Sequence, residues 1–179
     1  SFSRNADLII SDSKFLHKNG IENNSYHLTS YEASIIAREA NVKQLLLTHL
    51  PSLCENKSDY LEEAKINFKR AEVEDKIHLY EGDAVEILPT LQEKYDVVFI
   101  DASKGKYPFF LEQALRMLKQ NGVIIADNVL YKGYVMSDYN KHKQRTAVRN
   151  LREYIKEVSE NPNLETKILE IGDGLAVSR

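Results

Sequence analysis

Two uninterrupted apolar runs constrain the fold of this chain more than any other feature. The runs YDVVFID, over residues 95–101, and GVIIAD, over residues 122–127, do not alternate polar with apolar side chains. Strands of this kind are buried on both faces, which is typical of parallel sheets that helices cover on each side. Residues 107–118, between the two runs, read as a helix. Such a strand–helix–strand unit predicts a right-handed crossover in an α/β fold.

The same alternation of strand and helix extends along the chain. Strands are predicted over residues 6–11, 42–50, 76–80, 95–101, 122–127, 165–171 and 175–178. Helices are predicted over residues 30–40, 58–71, 84–91, 107–118 and 143–160. The pair Asp173-Gly174 separates the last two strands and favours a hairpin, so the last strand should be antiparallel. We therefore predict one α/β domain over residues 1–179, built on a doubly wound, mostly parallel, seven-stranded Rossmann-like sheet.

Composition is typical of a folded globular chain and argues against several kinds of partner. Hydrophobic residues make up 42% and charged residues 28% of the chain. The net charge of −3 gives no support for broad binding to nucleic acid or to an anionic membrane. A local basic cluster is interpreted as a solvated loop and helix start: Lys132, Lys141, His142, Lys143 and Arg145. Cys54 is the single cysteine, and we see no signal peptide, so we expect a cytoplasmic protein.

Polar side chains stand at the predicted carboxyl ends of two neighbouring strands. Asp101 follows one strand, and Asp127 and Asn128 follow the next. Open α/β sheets bind ligands at this edge. Two carboxylates and an amide carbonyl are hard oxygen ligands, suited to Mg²⁺ or another divalent cation. The alternative, from spacing alone, is that these residues only end strands and begin loops, because short motifs often arise by chance.

Four segments carry a resemblance to one enzyme family: VEDKIHLYEGDAVEILPTL, YDVVFIDASKGKYPFFLEQAL, GVIIADNVLYKG and RTAVRNLREYIKEVSENPNLETKILEIGDGLAVSR. From about residue 72 to residue 179 the chain resembles the C-terminal part of bacterial cation-dependent class I O-methyltransferases. The subgroup is the caffeoyl-CoA/catechol type, which includes a tRNA hydroxyuridine methyltransferase. This resemblance implies the sheet order 3-2-1-4-5-7-6.

The methyltransferase resemblance also implies roles for individual residues. It implies that Asp101, Asp127 and Asn128 bind a divalent cation and that Lys104 is the general base. It implies further that Asp83 and Ala84 line the adenine of S-adenosylmethionine. The alternative for Asp83 is a helix N-cap, which needs no ligand.

The first third of the chain resembles a different family. The segments ADLIISDSKF, YHLTSYEASIIAREANVKQLLLTHLP and YLEEAKINF lie within residues 4–68 and are similar to the C-terminal segment of metallo-β-lactamase-fold hydrolases. The resemblance implies that His27 and His49 match metal ligands of that family. Its HxHxDH run is missing here, so the two histidines are interpreted as orphaned ligands. Together the resemblances predict a chimera, engineered or recombined, with a seam near residues 58–75 between segments 1–70 and 72–179.

The expected cofactor loop is missing from the sequence. O-methyltransferases of this class carry a glycine-rich loop after the first strand, whereas residues 11–15 read SDSKF and no glycine precedes Gly20. Side chains there would fill space that glycine leaves open, which argues against S-adenosylmethionine binding.

Three functional hypotheses follow. The main hypothesis is a catalytically silent, monomeric chimera with no complete active site. The first alternative is a cation-dependent O-methyltransferase acting on a catechol-like or hydroxylated tRNA uridine acceptor. The second alternative is a module that binds a nucleotide or another small molecule without turnover.

Overall fold

Strands pair in two places: as a parallel pair near the N-terminus, and as a mixed four-stranded sheet near the C-terminus. The structure is a computed structural model. It describes residues 8–12, 35–36, 38–39, 44–48, 62, 65–66, 68–70, 72, 74–75, 78–80, 82–138 and 144–179. By their contacts the residues divide into two units, Ser1–Ile87 and Leu88–Arg179.

The first unit contains the parallel strand pair. Strand β1 (Leu8–Asp12) pairs with β2 (Gln44–Thr48) in parallel register. The described residues between 35 and 39 and between 62 and 70 are helical, within the helices predicted there. Residues 78–80 lie outside any strand, so the prediction of a strand over residues 76–80 is wrong for them. A short helix, α1 (Ala84–Ile87), ends the unit.

The second unit is built on a mixed sheet. Its strands are β3 (Tyr95–Ile100), β4 (Leu118–Asp127), β5 (Thr166–Leu169) and β6 (Leu175–Ser178), in the spatial order β3-β4-β6-β5. Strands β3 and β4 are parallel, and β6 is antiparallel to both of its neighbours. This order confirms the last four strands of the predicted sequence 3-2-1-4-5-7-6. The predicted seven-stranded sheet is not seen in the described residues.

Two amphipathic helices accompany this sheet. Helix α2 (Tyr107–Met117) connects β3 to β4, and α3 (Arg145–Glu160) precedes β5. The buried residues of α3 recur every three to four positions: Val148, Leu151, Tyr154 and Val158. This spacing puts them on one face of the helix, which packs inward. In the strands, Val98, Ile100, Ile124 and Ala126 are fully buried and Ile125 is 5% exposed. The remaining apolar residues of the two runs, Val97, Phe99 and Val123, are partly exposed, so burial on the second face is less complete than the runs predict.

Strand β4 begins earlier than its apolar run. The sequence predicts a strand over residues 122–127, but β4 starts at Leu118 and includes three exposed polar residues before Gly122. Asn121 adopts a positive φ of 63°, and the pairing with β3 changes register between Tyr95 and Val97. The extension depends on backbone hydrogen bonds across an irregular register, so the apolar pattern does not reveal it.

The predicted hairpin between the last two strands is confirmed. Strands β5 and β6 are antiparallel, and the Gly174 N–H donates to the Ile171 carbonyl at 3.0 Å. Gly174 has a φ of +88°, which favours glycine. A Cβ atom at Gly174 would lie 2.3 Å from Cγ and 2.8 Å from Cβ of Leu130. Because the Leu130 Cβ is fixed to the backbone, rotation of the side chain cannot relieve this overlap.

We expect Gly174→Ala to lower the free energy of unfolding by about 3 kcal/mol, through left-handed strain and overpacking together. Gly133→Ala is the matched control, because Gly133 also has a positive φ (+75°) but nothing lies within 4 Å of its added Cβ. That control should cost only about 1 kcal/mol. Urea unfolding of the two variants and of the wild type measures both values. Equal losses in the two variants would show that the contact with Leu130 contributes nothing.

Within the described residues, none of the helices combines the length and apolarity that a membrane crossing requires.

Candidate functional site

The carboxyl ends of β3 and β4 bring two carboxylates to one edge of the sheet. Ile100 lies opposite Ala126 in the parallel register, and Asp101 and Asp127 are the next residues along the two chain paths. Neighbouring strands lie about 4.8 Å apart. Asp101 and Asp127 are both partly exposed, so a small ligand can reach them.

Lys104 lies beside the first of these carboxylates. It opens a 3-10 turn, Lys104–Lys106, and its Nζ lies 3.4 Å from Oδ1 of Asp101. The two side chains are 20% and 19% exposed, so the pair is partly screened from solvent. The Lys104 Nζ also lies 5.8 Å from the centre of the Tyr107 ring, within the range of a cation–π contact.

The second carboxylate shares a local hydrogen-bond network with Asn128. Oδ1 of Asp127 accepts a hydrogen bond from the Asn128 backbone N–H at 2.6 Å and another from Asn128 Nδ2 at 3.0 Å. Asn128 has a φ of +56°, a left-handed conformation that asparagine tolerates better than most residues. The strand therefore ends abruptly at Asp127, and the chain turns at the residue that carries the amide.

Tyr107, the first residue of α2, forms a hydrogen bond with the end of β4. Its hydroxyl donates to the backbone carbonyl of Asp127 at 2.6 Å. Burial raises the pKa of the Tyr107 hydroxyl well above its ordinary value, and the charges of Asp101, Tyr154 and Asp127 raise it further, whereas a backbone hydrogen bond from Ala102 lowers it. The hydroxyl therefore stays protonated at neutral pH and remains a hydrogen-bond donor.

Later parts of the chain form hydrogen bonds with the segments that follow Asp101 and Asn128. Asn150, on α3, donates through Nδ2 to the Gly105 carbonyl at 2.6 Å. Beyond Asn128, the Val129 N–H donates to the Gly174 carbonyl at 3.0 Å, and the Leu130 N–H donates to the Asp173 carbonyl at 2.8 Å. These contacts and the Tyr107 contact are not visible in the sequence, because no sequence pattern marks partners that lie 20 or more residues apart.

Arg152, also on α3, forms hydrogen bonds with the segment of residues 134–137. Its guanidinium donates to the carbonyl of Val135 at 3.0 Å, to that of Tyr134 at 3.2 Å and to that of Ser137. One side chain thus satisfies several carbonyls of a turn-rich stretch that has no helix or strand of its own.

The donor set fits a divalent cation. Asp101, Asp127 and Asn128 supply two carboxylates and an amide oxygen, the ligand types that Mg²⁺ and Mn²⁺ prefer. The two carboxylates outnumber the single ammonium of Lys104, so the cluster is net negative. Among the described residues, no group of three or more His, Cys, Asp and Glu side chains could hold a metal, so Asn128 is needed as the third ligand.

The predicted adenine-binding residues lie in the first unit. Asp83 caps helix α1: its Oδ1 accepts from the Val85 N–H at 2.8 Å, and its backbone carbonyl accepts from Glu86 and Ile87. Ala84 is buried. The capping interpretation of Asp83 is therefore confirmed, while its role beside an adenine stays a prediction. The same unit contains a cavity of about 630 Å³ lined by residues that include Lys65, Phe68, Lys69, Glu74, His78 and Tyr80.

Several predicted residues lie outside the described part of the chain. These are His27, His49 and residues 13–15 of the segment SDSKF, whose first two residues, Ser11 and Asp12, end β1. Of the basic cluster, Lys132 and Arg145 are described and exposed, whereas Lys141, His142 and Lys143 are not described.

Comparison with known sequences identifies one family. The family model described as O-methyltransferase matches residues 50–179, nearly three quarters of the chain. Tapetum-specific methyltransferase 1 of Arabidopsis thaliana is 35% identical over 117 residues, which cover 62% of this chain and 50% of that protein. Catechol O-methyltransferase of Mycobacterium tuberculosis is 32% identical over 125 residues, which cover 66% of this chain and 55% of that protein. The chain thus spans about half the length of the curated relatives it matches.

Solved structures show the same fold. The O-methyltransferase TomG of Streptomyces achromogenes, solved in complex with SAM, superposes with a TM-score of 0.69 at 21% identity, covering 98% of this chain and 73% of that one. An O-methyltransferase of Klebsiella pneumoniae superposes with a TM-score of 0.67 at 26% identity, covering 97% of this chain and 72% of that one.

These findings correct the main functional hypothesis. The interpretation as a catalytically silent chimera is wrong, because the family match begins at residue 50 and the methyltransferase structures cover 97% of the chain or more. Nothing in the comparisons supports a metallo-β-lactamase-like segment, from which the metal-ligand interpretation of His27 and His49 came. A single domain over residues 1–179, a monomer and a cytoplasmic location stay predictions. The methyltransferase resemblance is confirmed, and the chain belongs to the O-methyltransferase family.

Proposed function

We propose that this chain belongs to an enzyme that transfers a methyl group from S-adenosylmethionine to a hydroxyl of a catechol-like acceptor, with the help of a divalent cation. The observation that carries the proposal is the placement of Asp101, Lys104, Asp127 and Asn128 around the ends of two adjacent strands. Ordinary strand ends do not need two carboxylates, an amide and a lysine at one edge. In a member of the O-methyltransferase family, these side chains could bind a cation and accept a proton from the acceptor hydroxyl.

Each residue has a separate task in this proposal. Asp101, Asp127 and Asn128 would hold the cation through oxygen atoms. The cation, when bound, supplies Lewis-acid polarisation that lowers the pKa of an acceptor hydroxyl. Lys104 would first give its ammonium proton to solvent and then take the hydroxyl proton on Nζ. The acceptor oxygen would form its bond to the methyl carbon as the bond from that carbon to sulfur breaks. The ion pair with Asp101 keeps Nζ close to the strand ends before the acceptor arrives.

The acceptor class follows from the ligand set and from the relatives. A cation held from one side by three oxygen ligands can take further oxygen ligands from a substrate, because Mg²⁺ prefers six. Two neighbouring hydroxyls on a ring suit that arrangement. Catechol O-methyltransferase of Mycobacterium tuberculosis and caffeoyl-CoA O-methyltransferase of Populus kitakamiensis carry such acceptors in their names. We therefore choose catechol as the first acceptor to test.

S-adenosylmethionine is the methyl donor in this proposal, although the absence of glycine from residues 11–15 argues against it. The support comes from TomG and from the O-methyltransferase of Bacillus cereus, which were solved with SAM and SAH respectively. The objection concerned residues 11–15, of which Ser11 and Asp12 end β1 and residues 13–15 lie outside the described residues.

Calorimetric titration of S-adenosylmethionine, with and without Mg²⁺, tests the donor, and transfer of labelled methyl to catechol tests the reaction. We expect 1:1 binding with a micromolar Kd and transfer that EDTA abolishes and Mg²⁺ restores. Phenol, which has one hydroxyl, is the control acceptor and should be methylated far more slowly. Absence of binding at millimolar S-adenosylmethionine would overturn the proposal.

A further inference from the structure

We propose that Tyr107 is a positioning residue: it fixes the peptide unit between Asp127 and Asn128 and thereby sets the direction of both cation ligands. This inference rests on the proposed function, because it concerns the same cation site. From the sequence, Tyr107 has no predicted role beyond its place in a helix.

The peptide unit between Asp127 and Asn128 is held on both sides. Its carbonyl oxygen, on Asp127, accepts the Tyr107 hydroxyl at 2.6 Å. Its N–H, on Asn128, donates to the Asp127 carboxylate at 2.6 Å. Rotation of this peptide would break both hydrogen bonds and would swing the two side chains that flank it. The positive φ of Asn128, +56°, places the turn of the chain directly after this peptide unit.

Tyr107 is itself rigidly placed. Its side chain is fully buried, and its ring meets the Tyr154 ring edge to face, with 5.5 Å between the ring centres. A buried ring in such packing cannot swing its hydroxyl away without opening the core. Because the hydroxyl cannot move, its hydrogen bond to the Asp127 carbonyl fixes the position of the end of β4.

The same ring faces the proposed base. The Lys104 Nζ lies 5.8 Å from the ring centre and 3.4 Å from Asp101. Tyr107 therefore contacts the β3 side of the site through its ring face and the β4 side through its hydroxyl. Loss of the hydroxyl removes the contact with the Asp127 carbonyl, together with the backbone hydrogen bond from Ala102, and leaves the ring face beside Lys104. The contributions of ring and hydroxyl can therefore be separated by experiment.

Tyr154 is the matched control. It is also fully buried, it belongs to the same ring pair, and in the described part of the structure its hydroxyl has no hydrogen-bond partner. Tyr154→Phe removes one buried hydroxyl, as Tyr107→Phe does, but breaks no contact with the strand end. Any effect of lost volume or changed ring polarity should be similar in the two variants.

The experiment is a titration of the whole chain with Mn²⁺ alone, in which electron paramagnetic resonance counts the free ion. We expect Tyr107→Phe to raise the Mn²⁺ Kd at least about 10-fold, the usual effect of losing a group that orients a metal ligand. Tyr154→Phe should stay within about twofold of the wild type. A purely structural role would not move the Kd, since a stable domain that loses one hydrogen bond remains almost entirely folded. Urea unfolding without metal verifies that both variants are folded.

The outcomes separate the two claims. If the wild type binds Mn²⁺ and Tyr107→Phe binds it equally well, the positioning role is overturned and the proposed function stands. If both tyrosine variants weaken binding equally, the effect comes from the ring pair and the role of the hydroxyl is overturned. If the wild type binds no Mn²⁺, the proposed function and this inference both fall.

Discussion

Replacing Asp127 with asparagine is expected to remove cation binding and methyl transfer together. The substitution keeps the shape of the side chain and leaves an oxygen that can accept the Asn128 N–H, so the strand end keeps its local network. It removes the charge that would bind the cation. Since a bound cation contributes several kcal/mol to transition-state stabilisation, we expect the transfer rate to fall by at least about 10³-fold.

Asp96→Asn is the matched control for this prediction. Asp96 lies within β3, the strand that Asp101 directly follows. Its side chain is 56% exposed and pairs with Lys119 at 2.6 Å. Exposed pairs of this kind contribute at most about 1 kcal/mol to stability, and this one has no part in the proposed site. The control should bind Mn²⁺ and transfer methyl groups as the wild type does. Full activity of Asp127→Asn in saturating S-adenosylmethionine and catechol would exclude the cation site described above.

The second unit was largely predictable because its signals are local. The apolar runs over residues 95–101 and 122–127 need burial on both faces, and only a covered sheet provides it. The Asp173-Gly174 pair fixes a tight hairpin, since Gly174 adopts a conformation that other residues avoid. Each signal lies within a few residues of the element it predicts. These signals predicted the strands and the hairpin, whereas the order of the last four strands was implied by the family resemblance and is confirmed.

The first unit was less predictable, for a physical reason. The run KIHLY over residues 76–80 has strand-like composition, yet residues 78–80 are not in a strand. A run this short forms a strand only if a neighbouring strand accepts its hydrogen bonds, and the sequence does not show whether one does. The metallo-β-lactamase resemblance rested on similarly short segments of strand and helix. Such segments recur in unrelated α/β folds.

The candidate site was predictable from the sequence only in part. Asp101, Asp127 and Asn128 were found because they directly follow recognisable strands, and Lys104 was found through the family resemblance. Tyr107 and Asn150 were missed because their partners, the carbonyls of Asp127 and Gly105, are backbone atoms far away in the sequence. A backbone carbonyl carries no residue identity. The groups that would touch the cation are therefore visible in sequence, whereas the groups that orient them need the structure.

Lys104→Met is expected to separate proton transfer from cation binding. Methionine keeps most of the length and the apolar stem of lysine but has no amine, so the acceptor proton loses its proposed destination. General-base contributions are typically about 10²–10⁴-fold, and we expect a loss of transfer within that range. Binding of Mn²⁺ should not weaken. It should tighten by up to about fivefold, because the Lys104 ammonium, 3.4 Å from Asp101, competes with the cation for the carboxylate.

Lys106→Met supplies the control, because Lys106 lies in the same 3-10 turn but is exposed. Its loss should leave both the transfer rate and the Mn²⁺ Kd within about twofold of the wild type, as expected for a solvated surface charge. Transfer rates at saturating catechol, together with Mn²⁺ titrations of the two variants, show whether Lys104 acts as the base. If Lys104→Met loses Mn²⁺ binding along with transfer, the lysine supports the cation ligands and is not the base. If it keeps transfer at the wild-type rate, another group or solvent takes the proton, and the ion pair with Asp101 only orders the end of β3.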